Sequence, residues 1–176
     1  MPSSTPEQFI FASLYTRNRE TLLSSAEAKR LLLSKMHETK HQFRLNIAAY
    51  VLLDDHMHWL FFTPAGNEPS AIVNHLRAAT QRDWRKLQPE WGESAIWEHG
   101  NRCTLPVDKP DLKHYLDFIH YDPVRHGLAE KAMDYKWSSL PARVAEGYYP
   151  EDWGTLGAPI GITKVLKYTA EAALAD

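Results

Sequence analysis

Three short apolar stretches in the first half of this chain have the length of β-strands. Residues 8–15, 45–53 and 56–63 are rich in aromatic, branched and other apolar side chains and are bounded by polar residues, which predicts three strands. Asp54 and Asp55 separate the second and third strands and predict a tight hairpin turn, because aspartate favours turn geometry. The first half of the chain is therefore predicted to contribute most of a sheet.

Helical spacing of apolar residues predicts helices over 24–43, 67–87 and 108–122, and a fourth strand is predicted within 91–105. We expect the third helix to end at Asp122, because a residue before proline avoids helical geometry. Strands and helices in this order predict an α+β fold with an antiparallel sheet covered by helices. The absence of repeats predicts one domain over residues 1–153, with a tail over 154–176 that ends in a weak helix.

Composition limits the class of protein. The 176 residues are 44% hydrophobic and 24% charged, with a net charge of −2, which is typical of an ordinary soluble domain and excludes disordered and collagen-like chains. No stretch is apolar enough for a membrane span and the start lacks the pattern of a signal peptide, so the prediction is a cytoplasmic protein without a membrane partner. Cys103 is the single cysteine, so a metal would be held by histidines and carboxylates.

Charge is unevenly distributed despite the near-neutral total. The second predicted helix carries a basic cluster against the single acidic Asp83, and its members are Arg77, Arg82, Arg85 and Lys86. These residues are candidate contacts for the phosphates of a nucleic acid. The alternative is an ordinary solvated helix face.

The candidate chemistry centres on His56 and His58. A spacing of two residues on a strand places both imidazoles on one face, where they can share a divalent cation, while Met57 points into the core. Asp122 on the third helix would complete a ligand set suited to Mg²⁺ or Mn²⁺. Two alternatives stay open: the histidines are polar residues on an exposed strand face, and Asp122 is a turn former before a proline.

The chain contains three longer motifs in order: LLDDHMHWLFF, then WEHGNRCTLPVDKPDLKHYLDFIHYDPVRHGLAEKAMDYKWSSL, then GYYPEDWG. Together they resemble the REP-associated tyrosine transposases, bacterial members of the single-strand-DNA (HUH) transposases, whose metal site is a His-hydrophobe-His motif. The similarity covers residues 11–153. It implies a ferredoxin-like α+β fold and an enzyme that recognises palindromic hairpins in single-stranded DNA.

The resemblance also implies a mechanism. In this family a helix tyrosine attacks phosphorus and leaves a 5′-phosphotyrosine and a free 3′-hydroxyl. His56 and His58 match the metal-binding histidines, and Asp122 stands where the family has asparagine. Four residues before Asp122, at the position of the tyrosine nucleophile, this chain has Phe118, which has no hydroxyl. Either Tyr115, one turn earlier, replaces the nucleophile, or the chain is a non-cleaving module that binds hairpin DNA.

Several further interpretations concern ligands and partners. Arg125 is a candidate phosphate contact, and Tyr148, Tyr149 and Trp153 either stack on unpaired bases or pack the tail against the domain. A metal-dependent hydrolase of small phosphoesters is the alternative from outside nucleic-acid chemistry. The sequence leaves open whether the protein is a monomer or a homodimer.

Overall fold

Four antiparallel strands form the sheet at the centre of the fold. In the computed structural model, which describes residues 5–99 and 104–174, these strands are β1 (Gln8–Tyr15), β2 (Asn46–Leu52), β3 (His56–Thr63) and β4 (Thr104–Val107). Their order is β2-β3-β1-β4, and neighbouring strands are antiparallel. The first three strands and the hairpin are confirmed, whereas the fourth strand begins at the end of the predicted stretch and extends two residues beyond it. Cys103 lies outside the described residues.

Helices cover both faces of this sheet. They are α1 (Ala26–Phe43), α2 (Pro69–Leu87), α3 (Leu112–Arg125), α4 (Leu140–Ala145) and α5 (Ile162–Leu174). Met57, Trp59 and Phe61 belong to the core that α1 and α2 close on one face, whereas Phe11 and Leu60 belong to the core that α3 and α5 close on the other. The predicted α+β fold is confirmed.

Burial of both faces decides one alternative that the sequence left open. His56 and His58 are each only 2% exposed, so the interpretation as polar residues on an exposed strand face is wrong. A strand can carry buried polar side chains when a helix brings partners to them. Helix α3 is the element that covers these two histidines.

Helix α3 continues past Pro123 to Arg125, so the predicted end at Asp122 is wrong. Proline removes one backbone hydrogen bond, yet the last turn closes because the His126 N–H donates to the Asp122 carbonyl at 3.0 Å. The Arg125 side chain also binds the Asp122 carboxylate at 2.7 Å. Gly127 follows with φ +70°, where glycine has no steric cost. Asp122 is therefore a helical residue and not a turn former.

The C-terminal segment packs on α3. Ile162 and Val165 of α5 are buried, and the Tyr149 hydroxyl donates to Asp117 at 3.1 Å. The Tyr149 and Trp153 rings lie 5.1 and 6.3 Å from the His120 ring of α3, so packing on the domain is confirmed for these two residues. Tyr148 is 73% exposed, and stacking on bases is untested. The domain boundary at residue 153 stays a prediction. Within the described residues, no helix is both long enough and apolar enough to cross a bilayer.

Candidate metal centre

One strand and one helix bring the three predicted ligand side chains together. His56 and His58 lie on β3, and α3 carries Asp122 above them. The Asp122 Oδ2 atom lies 3.2 Å from His58 Nε2 and 3.6 Å from His56 Nε2. All three residues are buried, and one ligand atom from each lies within 4.8 Å of the others. Their spacing is compatible with one shared cation.

The second ring nitrogen of each histidine has its own partner. His56 Nδ1 lies 2.5 Å from Asp55 Oδ1, and His58 Nδ1 lies 2.6 Å from the Ser13 hydroxyl. Ser13 is placed there by the register of β1, which sets it opposite His58. A partner on Nδ1 fixes the ring and directs the Nε2 lone pair toward a metal, as in many protein metal sites. The histidines are therefore oriented before any cation binds.

Asp122 is also oriented from outside the cluster. Arg125 Nε donates to Asp122 Oδ1 at 2.7 Å, and His126 Nε2 lies 3.6 Å from the same oxygen. Asp122 Oδ1 therefore binds the arginine, and Asp122 Oδ2 faces the two ligand histidines. The Arg125 side chain is 31% exposed, so it links the buried carboxylate to the protein surface.

The protonation states suit a cation site. Burial lowers the pKa of His58 to about 4, so its imidazole is neutral near pH 7, the form that ligates metals. Burial by itself would raise the pKa of Asp122, but the neighbouring His58, His56 and Arg125 outweigh burial and hold this pKa well below its usual range. The centre thus combines a neutral imidazole with an ionised carboxylate.

Two buried polar atoms face each other in this centre. His58 Nε2 and Asp122 Oδ2 lack a hydrogen-bond partner within the described residues. In the tautomer whose Nδ1 proton is donated to the Ser13 hydroxyl, the neutral His58 ring presents a lone pair to the carboxylate oxygen. A buried acceptor left unsatisfied costs about 1–3 kcal/mol, and ligands about 2.1 Å from an octahedral ion lie about 3 Å apart. The residues therefore fit a divalent cation, which would satisfy both acceptors.

The position of the family nucleophile lies beside the histidines. The Phe118 ring is 5.1 Å from the His58 ring, and Arg125 Cζ lies 5.3 Å from the Phe118 ring centroid. Tyr115 is 4% exposed, and its ring packs against Phe11 at 5.0 Å. The slot next to the ligands is thus occupied by a ring without a hydroxyl, and Tyr115 belongs to the core.

Sequence reasoning missed four residues around the ligands: Ser13, Tyr15, Asp55 and His126. The Tyr15 ring lies 5.4 Å from the His56 ring on one side, and the His126 ring lies 4.9 Å from it on another. His126 follows Asp122 by four residues, so helical spacing was a usable signal. Tyr15 reaches the site through strand register, for which the sequence carries no direct signal.

The basic cluster on α2 is largely paired within the protein. Arg77 is half-buried and donates to the carbonyl of Glu98. Arg85 binds Glu93 at 2.6 Å, and Lys86 binds Asp83 at 2.9 Å. The side chains of Arg82 and Lys86 are 65% and 77% exposed, so they are the members best placed to meet a ligand. Phosphate contacts from this cluster and from Arg125 stay predictions.

Replacement of Asp55 by alanine tests the support of His56. Removing the carboxylate frees the His56 ring to rotate, and loss of such an outer partner typically weakens metal binding by about 10- to 100-fold. Titration calorimetry with Mn²⁺ measures this change. Asp54→Ala is the matched control, because Asp54 binds Lys29 at 2.6 Å instead of a histidine. Equal losses in both variants would mean that the hairpin turn matters and the Asp55–His56 contact does not.

The fold and the site define an α+β protein with a candidate divalent-metal centre under a helix, and comparisons with known proteins agree on one family. The family model described as "Transposase IS200 like" matches residues 10–119. A REP-associated tyrosine transposase of Haemophilus influenzae is 32% identical over 129 residues, covering 69% of this chain and 73% of the relative. The REP-associated tyrosine transposase of Escherichia coli K12 is 26% identical over 152 residues, covering 81% and 82%.

A solved structure has the same fold. It is a REP-associated tyrosine transposase bound to a REP hairpin, with a TM-score of 0.72 and 24% identity, covering 87% of this chain and 88% of the other. The chain belongs to the IS200-like transposases and, among them, to the REP-associated tyrosine transposases. The family and the fold class expected from the sequence motifs are thereby confirmed.

Proposed function

We propose that this chain is a DNA transposase that binds hairpins in single-stranded DNA and uses a divalent cation held by His56, His58 and Asp122. The transposase family supports this class of reaction, and the structural relative bound to a REP hairpin supports hairpin DNA as the ligand. The proposal of a metal is carried by two facing buried atoms without a hydrogen-bond partner in the described residues, His58 Nε2 and Asp122 Oδ2.

The cation proposed is Mg²⁺ or Mn²⁺, because the ligands combine imidazole nitrogen with carboxylate oxygen. When bound, such an ion polarises the scissile phosphate and offsets the charge that develops on its oxygens. His56 and His58 present Nε2, and Asp122 presents Oδ2 with its negative charge. Arg125 orients Asp122 through its Nε atom. Because the Arg125 side chain is 31% exposed, N–H groups of its guanidinium can also donate to a phosphate oxygen of the DNA.

Strand cleavage in this family proceeds through a tyrosine, and this chain has Phe118 at that position. The interpretation as a non-cleaving module gains no support from the comparisons, because both curated relatives are described as transposases. The family also argues against a hydrolase of small phosphoesters. We therefore favour a cleaving enzyme whose nucleophile lies elsewhere in the site. Location in the cytoplasm stays a prediction, and the choice between monomer and homodimer stays open.

Hairpin preference is the first expected result of this function. Fluorescence anisotropy should show that a single-stranded hairpin oligonucleotide binds at least about 10-fold more tightly than an unstructured strand of equal composition, a difference of about 1.4 kcal/mol. A fully paired duplex without a hairpin serves as the second comparison. Equal affinity for all three DNAs would contradict recognition of hairpins.

The salt dependence of the DNA affinity tests whether helix α2 contacts the DNA. If Arg82 and Lys86 each contact a phosphate of single-stranded DNA, replacing both by glutamine lowers the slope of log K against log salt by about 1.4. Lys131→Gln, an exposed lysine outside α2, is the control. An unchanged slope in the double variant would mean that the DNA does not contact α2. The hairpin would then bind another surface of the protein.

A further inference from the structure

Cleavage through a phosphotyrosine needs a phenol hydroxyl beside the metal ligands. Phe118 occupies the position next to His58 and provides none. Tyr115 is 4% exposed and packs against Phe11, so a phosphate reaches it only if the core opens. Tyr121, the other tyrosine of α3, packs against Trp153 with ring centroids 6.3 Å apart, so the helix presents no accessible phenol at the candidate centre.

Tyr15 lies beside the same histidines on the neighbouring strand. The register of β1 and β3 sets Tyr15 opposite His56 and Ser13 opposite His58, so the Tyr15 side chain shares their face of the sheet. Its ring centroid lies 5.4 Å from that of His56 and 6.5 Å from that of His58. Building on the proposed function, we propose that Tyr15 is the nucleophile of this chain.

Its surroundings favour attack by Tyr15 on a bound phosphate. Tyr15 is the last residue of β1 and is partly exposed, so DNA has access to it. Arg19 Cζ lies 4.2 Å from the Tyr15 ring centroid. A guanidinium at this distance attracts the ring and stabilises the negative charge that grows on the phenol oxygen as it ionises.

The same contacts fix Tyr15 relative to the ligands. Arg19 Nε donates to Asp55 Oδ2 at 2.9 Å, and Asp55 binds the His56 ring through its other oxygen. Tyr15, Arg19, Asp55 and His56 therefore form one connected set. Catalysis by a positioned nucleophile depends on such fixed geometry, because a misplacement of about 1 Å is enough to slow a reaction strongly.

Three other residues near the site carry hydroxyls: Ser13, Thr16 and Tyr135. The Ser13 hydroxyl is bonded to His58 Nδ1, and Ser13 is 5% exposed. The Thr16 hydroxyl donates to the carbonyl of Asp55 at 2.8 Å, and Thr16 is fully buried. The Tyr135 hydroxyl donates to the carbonyl of Leu52 at 2.6 Å. Within the part of the chain that the structure describes, Tyr15 combines exposure with ring contacts to both histidines.

In the proposed step, the Tyr15 oxygen forms a bond to phosphorus and the bond from phosphorus to the 3′-oxygen breaks. The phenol proton passes to water, and the departing 3′-oxygen takes up a proton. The products are a 5′-phosphotyrosine on Tyr15 and a free 3′-hydroxyl. Rejoining is the reverse step, in which a 3′-hydroxyl attacks the phosphotyrosine and the phenol is restored, so no further reactant is consumed.

The test compares four full-length proteins mixed with a single-stranded hairpin oligonucleotide and Mn²⁺: the unchanged chain, Tyr15→Phe, Tyr115→Phe and Phe118→Tyr. Denaturing gels measure the covalent adduct, and mass spectrometry of peptides locates it. We expect the adduct on Tyr15 in the unchanged chain and in Tyr115→Phe, and a loss of at least about 100-fold in Tyr15→Phe. Phenylalanine keeps the ring contacts with Arg19 and His56, and thermal unfolding checks that the variant folds.

Three outcomes overturn the assignment: an adduct that persists in Tyr15→Phe, an adduct that maps to another residue, or an adduct that forms only in Phe118→Tyr. Absence of any adduct in all four proteins also overturns it. Hairpin affinity and Mn²⁺ affinity of the unchanged chain then separate the two claims. If both affinities are retained while no adduct forms, the nucleophile assignment and the cleavage activity fail but hairpin and metal binding stand. If both affinities are missing, the proposed function fails as a whole.

A second readout needs no metal. Tetranitromethane nitrates accessible phenols, and we expect saturating hairpin DNA to reduce nitration of Tyr15 severalfold in metal-free protein. Tyr148, which is 73% exposed, reports that the reagent is active in the free protein. Unchanged nitration of Tyr15 in the presence of bound hairpin would place the DNA away from it and overturn the assignment.

Discussion

Replacement of His58 by alanine is expected to raise the dissociation constant for Mn²⁺ at least about 100-fold, because loss of an outer partner alone costs about 10- to 100-fold. The variant removes one of three ligand atoms and leaves Asp122 Oδ2 facing His56 alone. Titration calorimetry or the electron paramagnetic resonance signal of free Mn²⁺ measures the change. Adduct formation with hairpin DNA is expected to fall with the metal affinity.

His120→Ala is the matched control for this prediction. His120 is also fully buried, but its Nε2 is bonded to the Ser139 hydroxyl at 2.8 Å, and it points away from the ligands. Its removal deletes the same atoms from another buried position and should leave the Mn²⁺ affinity nearly unchanged. Similar losses in both variants would mean that packing under α3 controls the affinity. Full retention of affinity in His58→Ala would contradict the proposed centre.

Replacement of Trp59 by alanine is expected to lower the free energy of unfolding by about 3–5 kcal/mol, the usual cost of deleting a large buried aromatic side chain. Trp59 is fully buried, and its ring centroid lies 4.3 Å from that of Phe61. Urea unfolding followed by circular dichroism measures the change. A loss below about 1 kcal/mol would be typical of a surface position and would contradict the core described above.

Trp59→Phe provides the comparison for this stability measurement. The Trp59 Nε1 atom is buried without a hydrogen-bond partner in the described residues, so phenylalanine removes an unsatisfied donor while it keeps a large ring. Its cost should therefore be smaller than that of alanine. Because Trp59 and His58 face opposite sides of β3, stability and metal affinity should respond to different residues of one strand.

Much of the fold follows from local patterns in the sequence. Short apolar runs located β1, β2 and β3, because these strands are covered on both faces, and helical spacing located α1 and α2, because each helix buries one side. The end of α3 was predicted wrongly because the rule for residues before proline is local. Contacts of Asp122 with Arg125 and the backbone bond from His126 close the last turn across Pro123.

The candidate site also combines features that local patterns predict with contacts that only the tertiary structure shows. The shared face of His56 and His58 follows from strand geometry, and the motif around Asp122 indicates a third ligand. Two residues that orient the ligands reach them only through tertiary structure. The register of β1 brings Ser13 to His58, and the continuation of α3 past Pro123 brings Arg125 to Asp122. Interactions of this kind join residues far apart in sequence, so no local period encodes them.

The sequence by itself determined three strands of the sheet, the shared face of the two histidines, the family and the missing hydroxyl at Phe118. Tertiary structure alone decided that this face is buried, that Asp122 Oδ2 meets both imidazoles, and that Tyr15 lies beside them. The physical reason is that periodicity specifies which side of an element is apolar, whereas strand register and helix packing specify which distant side chains meet.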